Sequence, residues 1–276
     1  MSSEISPADY DAFKGFLQDA CGILLGENKQ YLVKSRLRKI LAEHKLDTLG
    51  QLVERLRKQP RGGLRETVID AMTTNETLWF RDLHPFRILQ ERILPEFGAQ
   101  KSIKPLRIWS AACSTGQEPY SIAMVIDEYR RTRPGQLRQA VEIVATDISR
   151  PIVEKARKGH YEMLALGRGL DPRRQKQYFT QLPTGTWELK PAIRNMVTFR
   201  ELNLLERYNQ GRFDIIFCRN VLIYFSADLK RDILLRMHQS LNKGGYLILG
   251  ASESLSGLSE HYEMVQCRPG IIYRAR

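Results

Sequence analysis

Residues 107–123, RIWSAACSTGQEPYSIA, read as an apolar strand that stops in a run of small residues and continues as a helix. The apolar residues up to Trp109 suit a buried parallel strand, and Ser110, Ala111, Ala112, Ser114 and Gly116 leave room for a ligand close to the backbone. In open α/β sheets, nucleotides bind in the crevice beyond the carboxyl ends of the strands, where strand order reverses. Residues 141–147, VEIVATD, make a second apolar strand ending in Asp147, whose carboxylate can accept from both hydroxyls of a ribose. A dinucleotide fits poorly. There is no G-x-G-x-x-G, Gly116 alone gives a pyrophosphate little access, and the interval from Gly116 to Asp147 exceeds the ~20 residues of that fingerprint.

A nucleoside without phosphates fits better, and S-adenosylmethionine is the commonest such cofactor. The surrounding order agrees. Strands at 105–110, 141–147, 196–201, 213–218 and 245–250 alternate with helices at 84–98, 116–131, 150–158 and 226–242. Two last strands, 261–267 and 270–275, form a hairpin over Arg268-Pro269-Gly270. Strand–helix alternation closing in an antiparallel pair is the layout of S-adenosylmethionine methyltransferases, an analogy of fold that names no substrate. Between 160 and 195 lies an insert with a helix at 172–179 and a Pro183-Thr184-Gly185-Thr186 turn between β-prone flanks. It reads as a small β-subdomain at about 175–200 or as an ordinary long connection.

Residues 1–72 carry only helical patterns. Ser6-Pro7-Ala8-Asp9 starts one helix, Thr48 with Gln51 as capping-box partner starts another, and 60–63 break the chain before a fourth. The helix at 29–44 has a buried stripe of Val33, Leu37, Ile40 and Leu41. Around it stand Lys29, Lys34, Arg36, Arg38, Lys39 and Lys45, either a solvated basic face or a docking surface for something acidic. The expected fold class is therefore α/β: a Rossmann-like S-adenosylmethionine methyltransferase sheet with a closing antiparallel hairpin, a small all-α domain before it and a small β insert. The domains are expected at 1–82 and 83–276.

A formal charge of +12 attracts polyanions, whether nucleic acid, anionic lipid or an acidic protein surface. Cys21, Cys113, Cys218 and Cys267 are scattered, without a C-x-x-C pair, which suits reduced thiols in the cytoplasm. No ligand spacing joins them to His44, His84, His160, His238 or His261 in a zinc site, so no metal is expected. The opening MSSEISPADY is polar and acidic, unlike a secretory leader, and no apolar run approaches a membrane span.

The segments TTNETLWFRD (73–82), AACSTGQEPYSIA (111–123), ATDIS (145–149), ELNLL (201–205) and FDIIFCRNVLIYF (213–225) resemble the motif series of the chemotaxis receptor methyltransferases called CheR. The resemblance covers nearly the whole chain. It implies a protein-glutamate O-methyltransferase that uses S-adenosylmethionine, releases S-adenosylhomocysteine and acts on the cytoplasmic helices of chemoreceptors. A monomer suffices for this, with no nucleic acid partner and no membrane insertion.

The same resemblance assigns cofactor contacts to Asn75, Thr77, Arg81, Glu118, Asp147, Asn203, Leu204, Arg219 and Asn220, and puts Arg81 and Tyr224 near the transferred methyl. The residue chemistry allows these roles and leaves alternatives. Arg81 can clamp a carboxylate through its planar fork. Glu118 can attract the cofactor's ammonium group, or bond back to Thr115 as a capping box. Ser149 is a second candidate to cap the helix after Asp147. Asn203 can read a base edge, and Leu204 can cover its face or sit in the core. Tyr224 can orient a substrate carboxylate through its hydroxyl, or simply pack over the sheet edge. The insert resembles the shorter type in the family, which implies recognition of receptors without a C-terminal pentapeptide. Rival readings are methylation of a nucleic acid or small molecule, which lacks a base-activating motif, and an RNA-binding module, for which only Tyr31 interleaves the basic run.

Overall fold

The computed structural model describes residues 5–59, 62–100, 102–255 and 257–276. The start of the polar opening, 1–4, and the first half of the break at 60–63 lie outside the described residues.

The N-terminal helices are α1 (Pro7–Cys21), α2 (Gln30–Glu43), α3 (Leu49–Lys58) and α4 (Gly63–Met72). Ser6 Oγ caps α1 by accepting from the Asp9 amide at 3.1 Å, and Thr48 Oγ1 caps α3 by accepting from the Gln51 amide at 3.2 Å. The reciprocal arm of the expected capping box is shifted by one residue, because Gln51 Oε1 accepts from the Asp47 amide at 2.8 Å. Phe13 and Leu17 of α1, Val33 and Leu37 of α2, Leu52 of α3 and Val68 of α4 close one apolar core.

In the rest of the chain, α5 (His84–Ile88) and α6 (Leu94–Ala99) are joined by a π-helical turn, Leu89–Ile93, where the sequence suggested one regular helix. Pro95 cannot donate to the carbonyl four residues back, and the widened turn directly precedes it. The chain continues through β1 (Leu106–Ala111), α7 (Gln117–Thr132), β2 (Val141–Asp147), α8 (Arg150–Lys158) and β3 (His160–Tyr161). Then come α9 (Met163–Leu166), α10 (Pro172–Tyr178), β4 (Phe179–Gln181), β5 (Trp187–Leu189) and α11 (Pro191–Arg194). β6 (Val197–Glu201), β7 (Phe213–Cys218), α12 (Ala227–Gln239), β8 (Leu241–Leu249), β9 (Tyr262–Gln266) and β10 (Ile271–Ala275) complete it.

Seven strands form the main sheet in the order β6-β2-β1-β7-β8-β10-β9. The first five pair in parallel, and β10 runs antiparallel to β8 with β9 folded back on it, which is the closing hairpin. Both faces of the sheet are covered, so successive residues of β1 enter different cores. Ile108 packs with the α5–α8 side, and Trp109 and Ala111 pack with Ile233 and Met237 of α12 on the other. Trp109 also donates from Nε1 to Thr146 Oγ1 at 2.9 Å, pinning β1 to β2.

The insert forms a three-stranded antiparallel sheet, β3-β5-β4. Its first strand, at 160–161, precedes the expected 175–200 span, and the end of that span belongs to β6 of the main sheet. Trp79 and Phe80, in the loop after α4, are buried in the core of the sheet domain. All four cysteines are free. Among the described residues, no helix is long and apolar enough to cross a membrane.

Candidate active site

Strand order reverses at β1, which has Ala111 level with Thr146 of β2 on one side and with Cys218 of β7 on the other. The chain therefore leaves three neighbouring parallel strands into one crevice. With the loop after α4 and the segment from the end of α1 into α2, these exits enclose a cavity of about 270 Å³. The side chains expected to act in catalysis or cofactor binding all line it: Asn75, Thr77, Arg81, Glu118, Asp147, Asn203, Leu204, Arg219, Asn220 and Tyr224.

The backbone here is held in costly conformations. Among the described residues, positive φ at non-glycine positions occurs at Phe80, Asp82, Leu83, Ala112, Ser114 and Asn220, all in the loops around the cavity, and otherwise only at Lys45. Such conformations persist where the surrounding structure over-determines them, and they concentrate at ligand sites. Several clamps do this. Glu253 accepts from the amides of Asn220, Val221, Leu222 and Gly250 at 2.7, 3.0, 2.8 and 2.8 Å, fixing the turn after β7 that carries Tyr224. Arg219 donates to the Arg81 carbonyl at 2.9 Å, and Phe80 N donates to Ser121 Oγ at 3.1 Å.

Asp147, a residue only 6% exposed, closes β2, its carboxylate accepting from the amides of Ser114 at 2.8 Å and Ser149 at 3.1 Å. Burial raises its pKa, and those N–H groups oppose the rise. Ser149, not Asp147, caps α8 by accepting from the Ile152 amide at 3.3 Å. Asp147 is thus left to face the cavity, with lone pairs for two hydroxyls. The amides a pyrophosphate would need are already engaged, Ser114 by Asp147 and Gly116 by the Cys113 carbonyl at 3.1 Å.

Glu118 does not form the capping box with Thr115. Gly116, at φ 94°, is the N-cap of α7, and the Glu118 carboxylate turns inward to accept from Ser110 Oγ at 2.8 Å and from Arg219 Nη1 at 3.0 Å. Arg219 also donates from Nη2 to Asp82 at 2.6 Å, and its side chain is 1% exposed. Arg219 also lines the cavity, and its Nε has no hydrogen-bond partner among the described residues. Two carboxylates and a carbonyl occupy three of the five N–H groups of its guanidinium, and it orients Glu118 and the loop at 81–82. No periodicity in the sequence pointed to Asp82, Ser110 or Glu253, because each meets its partner only after folding. By contrast, Arg81 lines the cavity and has no carboxylate in ion-pairing distance among the described residues.

Asn203 is largely committed elsewhere. Its Nδ2 donates to the Ala20 carbonyl at 2.9 Å, tethering α1, and its Oδ1 accepts from the Leu205 amide at 3.0 Å. One N–H and one lone pair remain for a base. Ile148, Leu202 and Leu204 make the apolar wall there. Asn75 donates to Thr73 Oγ1 at 3.3 Å, and its carbonyl accepts from Ser114 Oγ at 2.9 Å.

The basic residues of α2 divide between two sides. Lys29 and Arg36 line the cavity, Lys34 and Arg38 border a groove between α1, α2 and α3, and Lys39 and Lys45 are exposed. Arg36 is half-buried and bonded to the chain at 72–74, so it is not part of an outward docking face.

This donor set fits an adenosyl sulfonium amino acid. The cavity brings together the buried acid Asp147, the aliphatic residues Ile148, Leu202 and Leu204, and the Glu118 carboxylate beside Arg219, and among the described residues the Ser114 and Gly116 amides are already engaged. Comparison with known proteins gives the same answer. Residues 75–271 match the family model described as "CheR methyltransferase, SAM binding domain", and residues 8–73 match "CheR methyltransferase, all-alpha domain". The chain is 58% identical to the chemotaxis protein methyltransferase Cher2 of Pseudomonas putida over 269 residues, 97% of this chain and 98% of the relative. It is 58% identical to chemotaxis protein methyltransferase 1 of Pseudomonas aeruginosa over 98% of both chains, and 35% identical to the Salmonella typhimurium chemotaxis protein methyltransferase over 94% and 88%. With both of its domains matched and relatives 58% identical over nearly its whole length, the chain belongs to the CheR methyltransferase family and takes S-adenosylmethionine as its cofactor.

Proposed function

We propose that the chain transfers a methyl group to glutamate side chains of methyl-accepting chemotaxis receptors, forming methyl esters. When bound, S-adenosylmethionine supplies an electrophilic methyl on a sulfonium. The observation that carries the reading is Arg81, without a carboxylate partner among the described residues, in a cavity that offers neither a histidine nor an activated thiol as a base. No histidine is among the described residues lining it, and burial pushes the Cys21 thiol up to about 11 and the Cys113 thiol well above its usual value. Such a site suits a nucleophile already ionised at neutral pH, and a glutamate carboxylate is one. Arg81 would clamp that carboxylate by its fork, and the Tyr224 hydroxyl would donate to it, orienting one oxygen for in-line attack. Ile23, Leu24, Leu25 and Leu32 add apolar wall to the cavity from the N-terminal domain.

The receptor's cytoplasmic helices are the proposed partner, drawn to the outward basic residues of α2, with the enzyme working as a monomer in the cytoplasm. Neutralising one acid on such a helix would shift a signalling equilibrium. We further propose that no receptor pentapeptide tether is needed, since the insert offers at its edges only the two-residue β3 and the three-residue β4. Incubation with radiolabelled S-adenosylmethionine and chemoreceptor-containing membranes should put base-labile label on a receptor-sized band. Base-stable label, or none, would overturn the glutamate assignment. Micromolar binding of a fluorescent receptor-tail pentapeptide would overturn the tether-free reading.

A further inference from the structure

We infer that Arg36 is a positioning residue for the cofactor loop, so that α2 serves two functions from two of its faces. The guanidinium donates from Nη1 to the carbonyls of Met72 at 2.7 Å and Thr73 at 3.0 Å, and from Nη2 to Thr74 Oγ1 at 3.2 Å. Carbonyls at the end of a helix lack partners within it, and Arg36 satisfies those at the end of α4. In doing so it sets the direction in which the chain leaves toward Asn75 and Thr77. The next contacts lead straight into the site. The Asn75 carbonyl accepts from Ser114 Oγ, and the Ser114 amide donates to Asp147.

Helical spacing explains the division of labour. Lys29, Leu32 and Arg36 lie at intervals of three and four on the side that lines the cavity, whereas Lys34 and Arg38 lie four apart on the side facing the outer groove. The same all-α domain grips the cavity rim at two more points. Leu24 N donates to the Tyr224 carbonyl at 2.8 Å, and the Ala20 carbonyl accepts from Asn203. The cofactor site is therefore completed by the N-terminal domain. Arg36 acts on how the cofactor is held, not on attraction of the acidic substrate.

This inference rests on the cofactor site and is independent of the glutamate reading. The test is calorimetric titration of the full chain with S-adenosylhomocysteine for wild type, R36Q, R36K and R38Q, together with steady-state kinetics. R36Q should weaken S-adenosylhomocysteine binding about tenfold and raise the KM for S-adenosylmethionine similarly, with kcat within about threefold. R36K keeps the charge but not the fork, so its affinity should fall between wild type and R36Q, while R38Q should stay within about twofold of wild type. Wild-type affinity in R36Q, an equal loss in R38Q, or a fall in kcat at unchanged KM would each overturn it. Should R36Q fail to fold, R36K decides. Weakened binding supports the positioning role, and wild-type binding refutes it.

Discussion

Arg219 and Asp82, far apart in sequence, meet at 2.6 Å beside the cavity, and the same guanidinium reaches Glu118 at 3.0 Å. The two carboxylates are 31% and 12% exposed, so the triad is largely dry and its members depend on one another. Removing the cation from a buried pair leaves uncompensated charge, at a cost of about 3 kcal/mol. Arg219→Met should lose about that much stability in urea unfolding, and S-adenosylhomocysteine affinity with it. Arg219→Lys should rescue little, because an ammonium cannot address both acids and the Arg81 carbonyl together. Wild-type stability in Arg219→Met would refute this account.

Asp147 should make cofactor binding sensitive to acid. Its pKa is raised above 3.8 by burial, so the ionised form is disfavoured in the folded state. In the ligand-free protein, its contribution grows less favourable as pH rises from the unfolded value through the raised one. Ribose hydroxyls donate best to the carboxylate, so ligand affinity moves the opposite way and falls as pH drops through the raised pKa. Calorimetry with S-adenosylhomocysteine over roughly pH 4 to 7 should show weakening at the acid end. Asp147→Asn should flatten that limb and bind about 100-fold more weakly at neutral pH. A pH-independent wild-type affinity would show that the sugar does not engage this acid.

Glu253 holds four amides at once, and a glutamine there would aim an NH2 at N–H donors. Glu253→Gln should lose about 2 kcal/mol in denaturant unfolding and raise the KM for S-adenosylmethionine by loosening the turn that carries Asn220 and Tyr224. Gly250→Ala tests the same clamp from the other side. A Cβ there would lie 2.7 Å from Glu253 Oε2 and 3.0 Å from the Asn220 amide, so a similar loss is expected. A fully stable, fully active pair of variants would remove the clamp from the account.

Charge reversal at Lys34 and Arg38 separates docking from cofactor binding. Both are exposed on the outer side of α2. Lys34→Glu with Arg38→Glu should slow receptor methylation by an order of magnitude or so and reduce its salt dependence, while S-adenosylhomocysteine affinity stays near wild type. Receptor methylation unaffected by the reversal would move the docking surface elsewhere.

The strand at 106–111, the acid closing VEIVATD, the closing hairpin and the four amphipathic helices were legible in the chain alone. Their signals are local: alternation and helical spacing report burial within a dozen residues, and small residues beside a strand end report close approach to a ligand. The residues that the family resemblance implied for catalysis and cofactor binding all line one cavity. The partners of their polar ends were not legible. Glu118 shares its charge with Arg219 and not with Thr115, Asn203 tethers α1, Glu253 fixes a turn, and Arg36 points inward from a helix whose charge pattern looked uniform. A long side chain's choice among acceptors depends on which loop ends the sheet order and the domain contact bring within 3 Å. That juxtaposition is made by topology across many tens of residues, where no periodicity in the sequence can register it.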